Sequence, residues 1–192
     1  MKTFAINGRC AATPPPPDWR EQLAVMLGAK PRRIGVWAEL ALYGALRCMA
    51  DAGEKTLASQ AILLLSSRHG PYVAVATVIE QMRDSLPMPL SFLQTQPSQV
   101  LALLAAQLNW HGHACFVAGA TPEELLPLAG AQTTDDGVLL GWVEETTGGS
   151  THWLRLRPHI AFGTRGRDVS GNKIFSHELN YLCIGNTGLQ AI

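Results

Sequence analysis

The chain has 192 residues, of which 47% are hydrophobic and only 16% are charged. This balance excludes an intrinsically disordered protein, and the length suits one domain of ordinary size. Fifteen basic and fifteen acidic residues cancel to a net charge of zero, so the chain lacks the positive field that non-specific nucleic-acid binding requires, and we expect no nucleic-acid partner.

Cysteine spacing and the shortness of the apolar stretches indicate a cytoplasmic protein. Cys10, Cys48, Cys115 and Cys183 are scattered without a CxxC pair, as is typical of free thiols in a reduced compartment. The amino-terminal segment has too short an apolar core for a secretory signal. No stretch reaches the roughly 18 apolar residues of a membrane helix, so we expect no integral membrane segment.

Strands and helices alternate in the first third of the chain. Residues 3–7 predict a short strand, and the prolines at 14–17 predict an extended loop, because a proline run continues neither helix nor strand. Apolar residues at helical spacing predict a helix over 34–52 that ends at Gly53. The unbroken apolar run 60–66 predicts a central strand that is covered on both faces.

The alternation continues to residue 143. Residues 77–82 and 98–108 predict helices, and 114–118 predicts a strand. Thr121 is expected to cap a helix, because Pro122 suits the first helical position and two glutamates follow at the positive end of the helix dipole. With a last strand at 138–143, the order of elements gives the α/β class.

The sequence changes character near residue 146. A Gly-Gly-Ser segment is followed by alternating residues, which predict a hairpin with one solvent-exposed face. We therefore divide the chain into a domain at 1–145 and a β-hairpin-like and irregular carboxy-terminal extension at 146–192. The alternating strand carries a basic row that is either a solvated face or a docking patch for an acidic carrier protein: His152, Arg155, Arg157 and His159.

Three stretches within residues 1–145 resemble the amino-terminal half of the β-ketoacyl synthases, which have the thiolase-like fold. KTFAINGRCAATP is similar to the family's first strand and glycine turn, and RRIGVWAELALYGALRCMADAG to its Ala-rich helix ending in Asp-Ala-Gly. The third begins LLLSSRHGPYV and continues through a Pro-x-x-Phe segment to ACFVAGA. It resembles the chain-length-factor-like members from aryl polyene and xanthomonadin-type pigment clusters. The resemblance implies half of a thiolase-like fold, without a cofactor.

The resemblance places Thr121 at the position of the family's nucleophilic cysteine. In active members that cysteine lies at a helix N-terminus, where the dipole lowers the thiol pKa and backbone N–H groups form an oxyanion hole. Thr121 has no adjacent base in the sequence and Pro122 removes one N–H, so thioester exchange is not expected. Cys115 is expected to pack in mid-strand. Residues 146–192 do not resemble the half that carries the family's catalytic histidines and lysine, so we expect no catalytic residue.

The resemblance also implies a partner interface. In ketosynthase dimers the strand matching 114–118 pairs across the two-fold axis, and the loop matching 91–94 reaches the partner's acyl pocket. The implied interface and acyl-tunnel residues are Phe92, Leu93, Ala114, Cys115, Phe116, Val117 and Ala118. The alternative for Phe92 is that it covers the chain's own core.

Two groups of polar residues were considered as binding sites. Arg68 and His69 follow a predicted strand, where α/β sheets bind ligands; the alternative is an ion pair for Arg68 and a turn cap for His69. His111 and His113, near Cys115, do not predict a metal site, because histidines spaced by one residue do not share a helix face and no further ligand is clustered nearby.

These observations favour a non-catalytic, chain-length-factor-like partner of a complete β-ketoacyl synthase, which supports polyene extension on acyl carrier protein. One alternative is a divergent acyl-thioester enzyme whose nucleophile is Cys115 or Thr121. Another is a free-standing interaction module. The low charge and the apolar helices further predict that the chain is not a stable monomer but part of a heterodimer or heterotetramer.

Overall fold

A computed structural model describes residues 2–86, 88–146, 148–158, 181–185 and 188–191. One mixed sheet organises them, with the order β3-β2-β4-β5-β1-β6-β7. The strands are β1 Lys2–Ala12, β2 Ile62–Ser67, β3 Ala114–Ala118, β4 Val138–Glu144, β5 Ser150–Pro158, β6 Tyr181–Gly185 and β7 Gly188–Ala191. Strand β2 is parallel to β3 and β4, so the carboxyl ends of these three strands meet at one edge of the sheet.

Helices cover both faces of the sheet. They are α1 Trp19–Leu27, α2 Gly35–Asp51, α3 Tyr72–Arg83, α4 Pro89–Gln94, α5 Pro97–Gln107 and α6 Pro122–Gln132. The larger core lies between the sheet and α1, α2 and α5, and a smaller core lies under α6 on the opposite face. A Cβ at Gly44 would overlap the side chains of Thr151 and Trp153, so α2 approaches β5 at a distance that only glycine permits.

Several predicted elements are confirmed. The helix predicted over 34–52 is α2, with Gly53 at φ +68° after its end. The predicted central strand is β2, and all six of its residues are buried. The strand at 114–118 is β3, and Thr121 caps α6.

Other elements differ from the expectation. Helix α1 was not predicted, and α3 begins at Tyr72 instead of residue 77. Residues 91–94 were expected in a loop but belong to the short helix α4, which Pro89 opens at its first turn. Strand β1 continues to Ala12, well beyond residue 7, with an irregularity between Ile6 and Gly8.

Strand β5 lies in the predicted carboxy-terminal extension. It lies between β4 and β1 and is antiparallel to both, so the sheet crosses the boundary at 145/146 and the hairpin partner of β5 is β4. The expected solvent-exposed row is wrong at Arg155, whose side chain is fully buried and whose Nε donates to Glu54 Oε2 at 3.1 Å. Arg157 is exposed and also binds Glu54, at 3.2 Å. His152 is half-buried, and His159 lies outside the described residues.

Candidate functional site

The carboxyl ends of β2, β3 and β4 converge on a cluster of loops, formed by residues 66–70, 118–121 and 144–145. Ser66 Oγ is buried and donates to the carbonyl of Ala120 at 2.8 Å. Ser67 accepts the Gly119 N–H at its carbonyl, at 2.9 Å, and the Gly70 N–H at its hydroxyl, at 2.7 Å. Side chains of β2 therefore hold the turns after β2 and β3 in place.

Glu144, the last residue of β4, fixes the loop that carries Arg68 and His69. Its carboxylate is 5% exposed and accepts hydrogen bonds from the backbone N–H of Arg68 and, at 3.3 Å, of His69. The His69 ring nitrogen Nδ1 lies 3.2 Å from the same carboxylate. The alternative to a ligand site was an ion pair of Arg68 with an acid. Glu144 instead pairs with His69 and with backbone N–H groups, and the Arg68 side chain is exposed. Whether the loop binds a ligand stays a prediction.

Thr121 takes part in a capping box at the start of α6. Its hydroxyl accepts the Glu124 N–H at 3.4 Å, and the Glu124 carboxylate accepts the Thr121 N–H at 2.8 Å. Both bonds satisfy N–H groups that the first turn of a helix leaves free. Within the described residues these are the hydrogen bonds that involve the Thr121 side chain and N–H, so the geometry gives its hydroxyl the role of a helix cap.

The described thiols are covered to different degrees. Burial raises the pKa of the Cys48 thiol to about 12, and burial likewise raises the pKa of Cys10. Such thiols carry little thiolate at neutral pH and are poor nucleophiles. Cys115 is half-buried in β3, and its Sγ donates to the carbonyl of Phe116 at 3.7 Å. It packs against the core under α6, which confirms the expected packed side chain in mid-strand.

Most of the exposed large apolar side chains of the described residues lie on the α3–α4 surface, formed by both helices and their connection. No residue of α3 or α4 is buried against the rest of the described chain. The large apolar side chains exposed there are Tyr72, Val73, Val75, Ile79, Met82, Leu86, Met88, Leu90, Phe92 and Leu93. Phe92 is 56% exposed and so does not cover the chain's own core. Contiguous apolar patches of this kind mark interaction sites on soluble proteins.

Strand β3 adds an unpaired sheet edge to the same region. Among the described strands it pairs with β2 alone, which leaves its other edge open. Its residues are half-buried at Ala114, Cys115, Phe116 and Val117 and exposed at Ala118. An open edge strand is a template for pairing with another chain, and α5 and α4 connect β3 to α3 through successive packing contacts.

The remaining sequence-based candidates are dispersed. His111 and His113 are both exposed, and in the described ranges no three His, Cys, Asp or Glu residues cluster as a metal site would require. No helix of the described part combines the length and the apolar character needed to cross a membrane.

Sequence reasoning missed two acids with long-range partners, Glu144, which is buried, and Glu54, which is half-buried. Glu144 ends an apolar strand and Glu54 follows Gly53. Neither position has a local pattern that predicts its partner, which is 75 residues away for Glu144 and 101 residues away for Glu54. The only available signal was a carboxylate at the end of a buried strand, which needs partners when it is covered.

Comparison with solved structures identifies the fold. No protein-family model and no curated protein matches the chain. A chain of the ishigamide ketosynthase/chain length factor matches with a TM-score of 0.55 and 12% identity, over 74% of this chain and 47% of that one. A chain of the ketosynthase ApeO in complex with its chain length factor ApeC, from Xenorhabdus doucetiae, gives 0.57 and 16%, over 83% and 80%.

A third match is the AntDE:AntF complex, a type II polyketide synthase acyl-carrier protein with its ketosynthase bound to the hexaketide. It gives a TM-score of 0.60 at 8% identity, over 82% of this chain and 63% of that one. This chain therefore spans about half of the first matched chain and more of the other two. At such identities the likeness concerns the fold, and it confirms the expected thiolase-like α/β architecture.

Proposed function

We propose that this chain is a non-catalytic, chain-length-factor-like subunit that pairs with a complete β-ketoacyl synthase. The α3–α4 surface carries the proposal, because it presents large apolar side chains that no other described element covers. The solved structures with this fold include ketosynthases in complex with a chain length factor. A standard interface buries about 800 Å² on each partner, and the two exposed helices with the β3 edge offer an extended area of that kind.

The proposed lack of catalysis is supported by how the chain uses its candidate nucleophiles. Thr121 serves as a helix cap, and Cys115 hydrogen-bonds and packs within its own strand. Neither lies in a hydrogen-bonded pair with a histidine among the described residues, as an activated nucleophile would. This arrangement favours the scaffold role over the divergent acyl-thioester enzyme.

The proposal assigns the β3 edge to strand pairing with the ketosynthase. Val117 and Cys115 would then lie at the centre of the joined sheets, and the open edge of β3 would be closed. The pair, a heterodimer or a dimer of heterodimers in the cytoplasm, would extend a polyene chain carried by acyl carrier protein. Three free thiols in the described part suit a reduced compartment.

Co-purification with a co-expressed complete β-ketoacyl synthase from the same organism tests the proposal. The double variant Ile79→Lys, Met82→Lys places two charges on the α3–α4 surface, where both side chains are about half exposed or more and lysine is compatible with the fold. Buried charges without partners weaken interfaces strongly, so we expect affinity to fall at least a hundredfold. The matched control is Val25→Lys on α1, because Val25 is 81% exposed and lies outside this surface.

Retention of the ketosynthase by the double-lysine variant, or equal loss with Val25→Lys, would contradict the assigned surface. Failure of the unmodified chain to bind the ketosynthase would favour the free-standing interaction module. Radiolabelled acyl transfer to the isolated chain would instead support the enzyme alternative.

Phe92 tests the acyl-tunnel part of the proposal. It lies on the α3–α4 surface with more than half of its side chain exposed, so the proposal places it at the partner's acyl chain. Phe92→Ala should lengthen or broaden the product distribution, measured by mass spectrometry of the products of the complex, and leave condensation of short primers unchanged. Unchanged products with a weakened complex would make Phe92 an interface contact alone.

A further inference from the structure

Helices α3 and α4 are weakly attached to the rest of the described chain. No residue of either helix is buried, whereas α5 buries Val100 and Leu104, and all six residues of β2 are buried. The two helices pack mainly against each other, and the Gln81 side chain donates from Nε2 to Ser91 Oγ at 3.2 Å across them. Because burial of apolar surface is the main favourable term in folding, segments that bury little open most easily.

Neither helix has the length or the caps to be stable by itself. Helix α3 has 12 residues and α4 has six, and isolated helices shorter than about 12–15 residues are marginal in water. Pro71 and Met88 occupy their N-cap positions, and neither makes a side-chain capping hydrogen bond. The N–H groups of the first turn therefore need acceptors from elsewhere.

The Glu145 carboxylate supplies such an acceptor for α3. Glu145 follows the last residue of β4 and is half-buried, and its Oε1 accepts the Val73 N–H at 2.5 Å. Burial raises the pKa of Glu145, and the backbone N–H groups of Val73 and Trp37 counter part of this rise because they stabilise the carboxylate. Trp37 lies in the first turn of α2, which has ten buried residues. The carboxylate therefore joins the start of α3 to a helix that is fixed in the core.

A second hydrogen bond holds the far end of the helix pair. Gln94, the last residue of α4, donates from Nε2 to the Arg33 carbonyl at 3.0 Å. Arg33 lies shortly before Gly35, the first residue of α2. The pair is thus tethered at the first turn of α3 and at the last residue of α4, and both tethers lead to the start of α2.

We propose that α3 and α4 open together by local unfolding while the sheet, α2 and α5 stay folded, and that the Glu145 carboxylate is the latch that keeps them closed. Helix α4 is too short to persist without α3, so loss of either tether should open both helices. Opening removes the α3–α4 surface, and the affinity of a partner that binds this surface is limited by the closed fraction. The inference concerns the chain itself and does not depend on the proposed pairing with a ketosynthase.

Amide hydrogen exchange of the full chain, measured by mass spectrometry, reports the opening of each segment. Glu145→Ala removes the latch, and Gln94→Ala removes the second tether. The matched control for the latch is Glu123→Ala, which removes an exposed acid from the first turn of α6. The matched control for the second tether is Gln107→Ala, at the exposed last residue of α5.

We expect the protection factors of 75–83 in α3 and 92–96 at the end of α4 to agree within about fivefold, and to lie roughly a hundredfold or more below those of 40–51 in α2. Glu145→Ala should raise the exchange of both segments about fivefold, the effect of one net hydrogen bond, and Gln94→Ala should raise both about threefold. Both controls should leave the two segments within about twofold of the unmodified chain.

Three results would overturn the inference. Equal protection of α3 and α2 would exclude local opening. A variant that raises exchange only in its own helix would exclude joint opening, and Gln94→Ala tests this point even without Glu145→Ala. The latch would be excluded if Glu145→Ala exchanged like Glu123→Ala, or if it did not fold, because opening of α3 and α4 is proposed to leave the rest of the chain folded.

Discussion

Helices α2 and α3 are both rich in apolar residues, yet the described chain buries one and leaves the other open. Ten residues of α2 are buried, distributed around the helix between the sheet, α1 and α5. Helix α3 has none buried within the described part, although Val73, Ile79 and Met82 are as apolar as their counterparts in α2. The apolar content of a helix therefore does not tell whether its own chain covers it.

The difference separates folding from association. Side chains of α2 contact the sheet, so changing them should alter the free energy of unfolding. Side chains of α3 contact little within the described chain, so changing them should alter binding to a partner and leave unfolding nearly unchanged.

Trp37→Ala should give the largest effect on folding. The Trp37 ring is 1% exposed, donates from Nε1 to the Val143 carbonyl at 3.1 Å, and lies edge-on to Phe116 at 5.7 Å. Removing a buried tryptophan costs about 3–5 kcal/mol, measured by urea unfolding. The paired variant Met82→Ala, on α3, should stay within about 0.5 kcal/mol of the unmodified chain. A comparable loss at Met82 would mean that α3 is covered by its own chain.

Glu54→Gln should follow, because it leaves a charge inside the covered region. The Arg155 side chain is fully buried and its ion pair with Glu54 compensates its desolvation. Breaking a buried pair from one side costs about 3 kcal/mol. Glu39→Gln is the control, since the Arg20–Glu39 pair at 2.8 Å is partly exposed and should contribute less than about 1 kcal/mol.

The double variant Glu54→Gln, Arg155→Met sharpens this test. Removing both charges should recover most of the stability lost in Glu54→Gln, because no uncompensated charge remains inside. If the double variant lost as much stability as Glu54→Gln and Arg155→Met do together, each side chain would contribute through packing and not through the ion pair.

Local signals explain which parts of the fold could be predicted from sequence. Helix α2, strand β2 and the start of α6 each follow from a pattern within a few residues: the apolar period, the unbroken apolar run, and Thr121 followed by Pro122. Helix α1 was missed because its buried contacts come from two residues, Trp19 and Leu23, in an otherwise exposed segment.

Long-range pairing accounts for the errors in the second part of the chain. Alternation in 150–158 predicts one solvent-exposed and one buried face, but β5 is an interior strand of the sheet with α2 packed against it, and most of its residues on both faces are buried or half-buried. Arg155 then lies under α2, and its partner Glu54 is 101 residues away. The candidate site shows the same limit of local patterns. The Thr121 cap is local and was predicted, whereas the hydrogen bonds of Glu144 to the His69 loop depend on which strands pair in the sheet.

Thr121→Ala should give the smallest effect. The variant removes the hydroxyl acceptor of the Glu124 N–H, which also donates to the Thr121 carbonyl at 3.1 Å, and it keeps the bond from the Thr121 N–H to the Glu124 carboxylate. Loss of an N-cap hydroxyl costs about 1 kcal/mol, which Thr121→Ser should largely restore. Because a cap acts on the stability of α6 and not on chemistry, product formation by the complex with the ketosynthase should remain within about twofold. A hundredfold loss of activity in Thr121→Ala, with assembly and the unfolding free energy otherwise as expected, would place Thr121 in the reaction and remove the basis for a scaffold role.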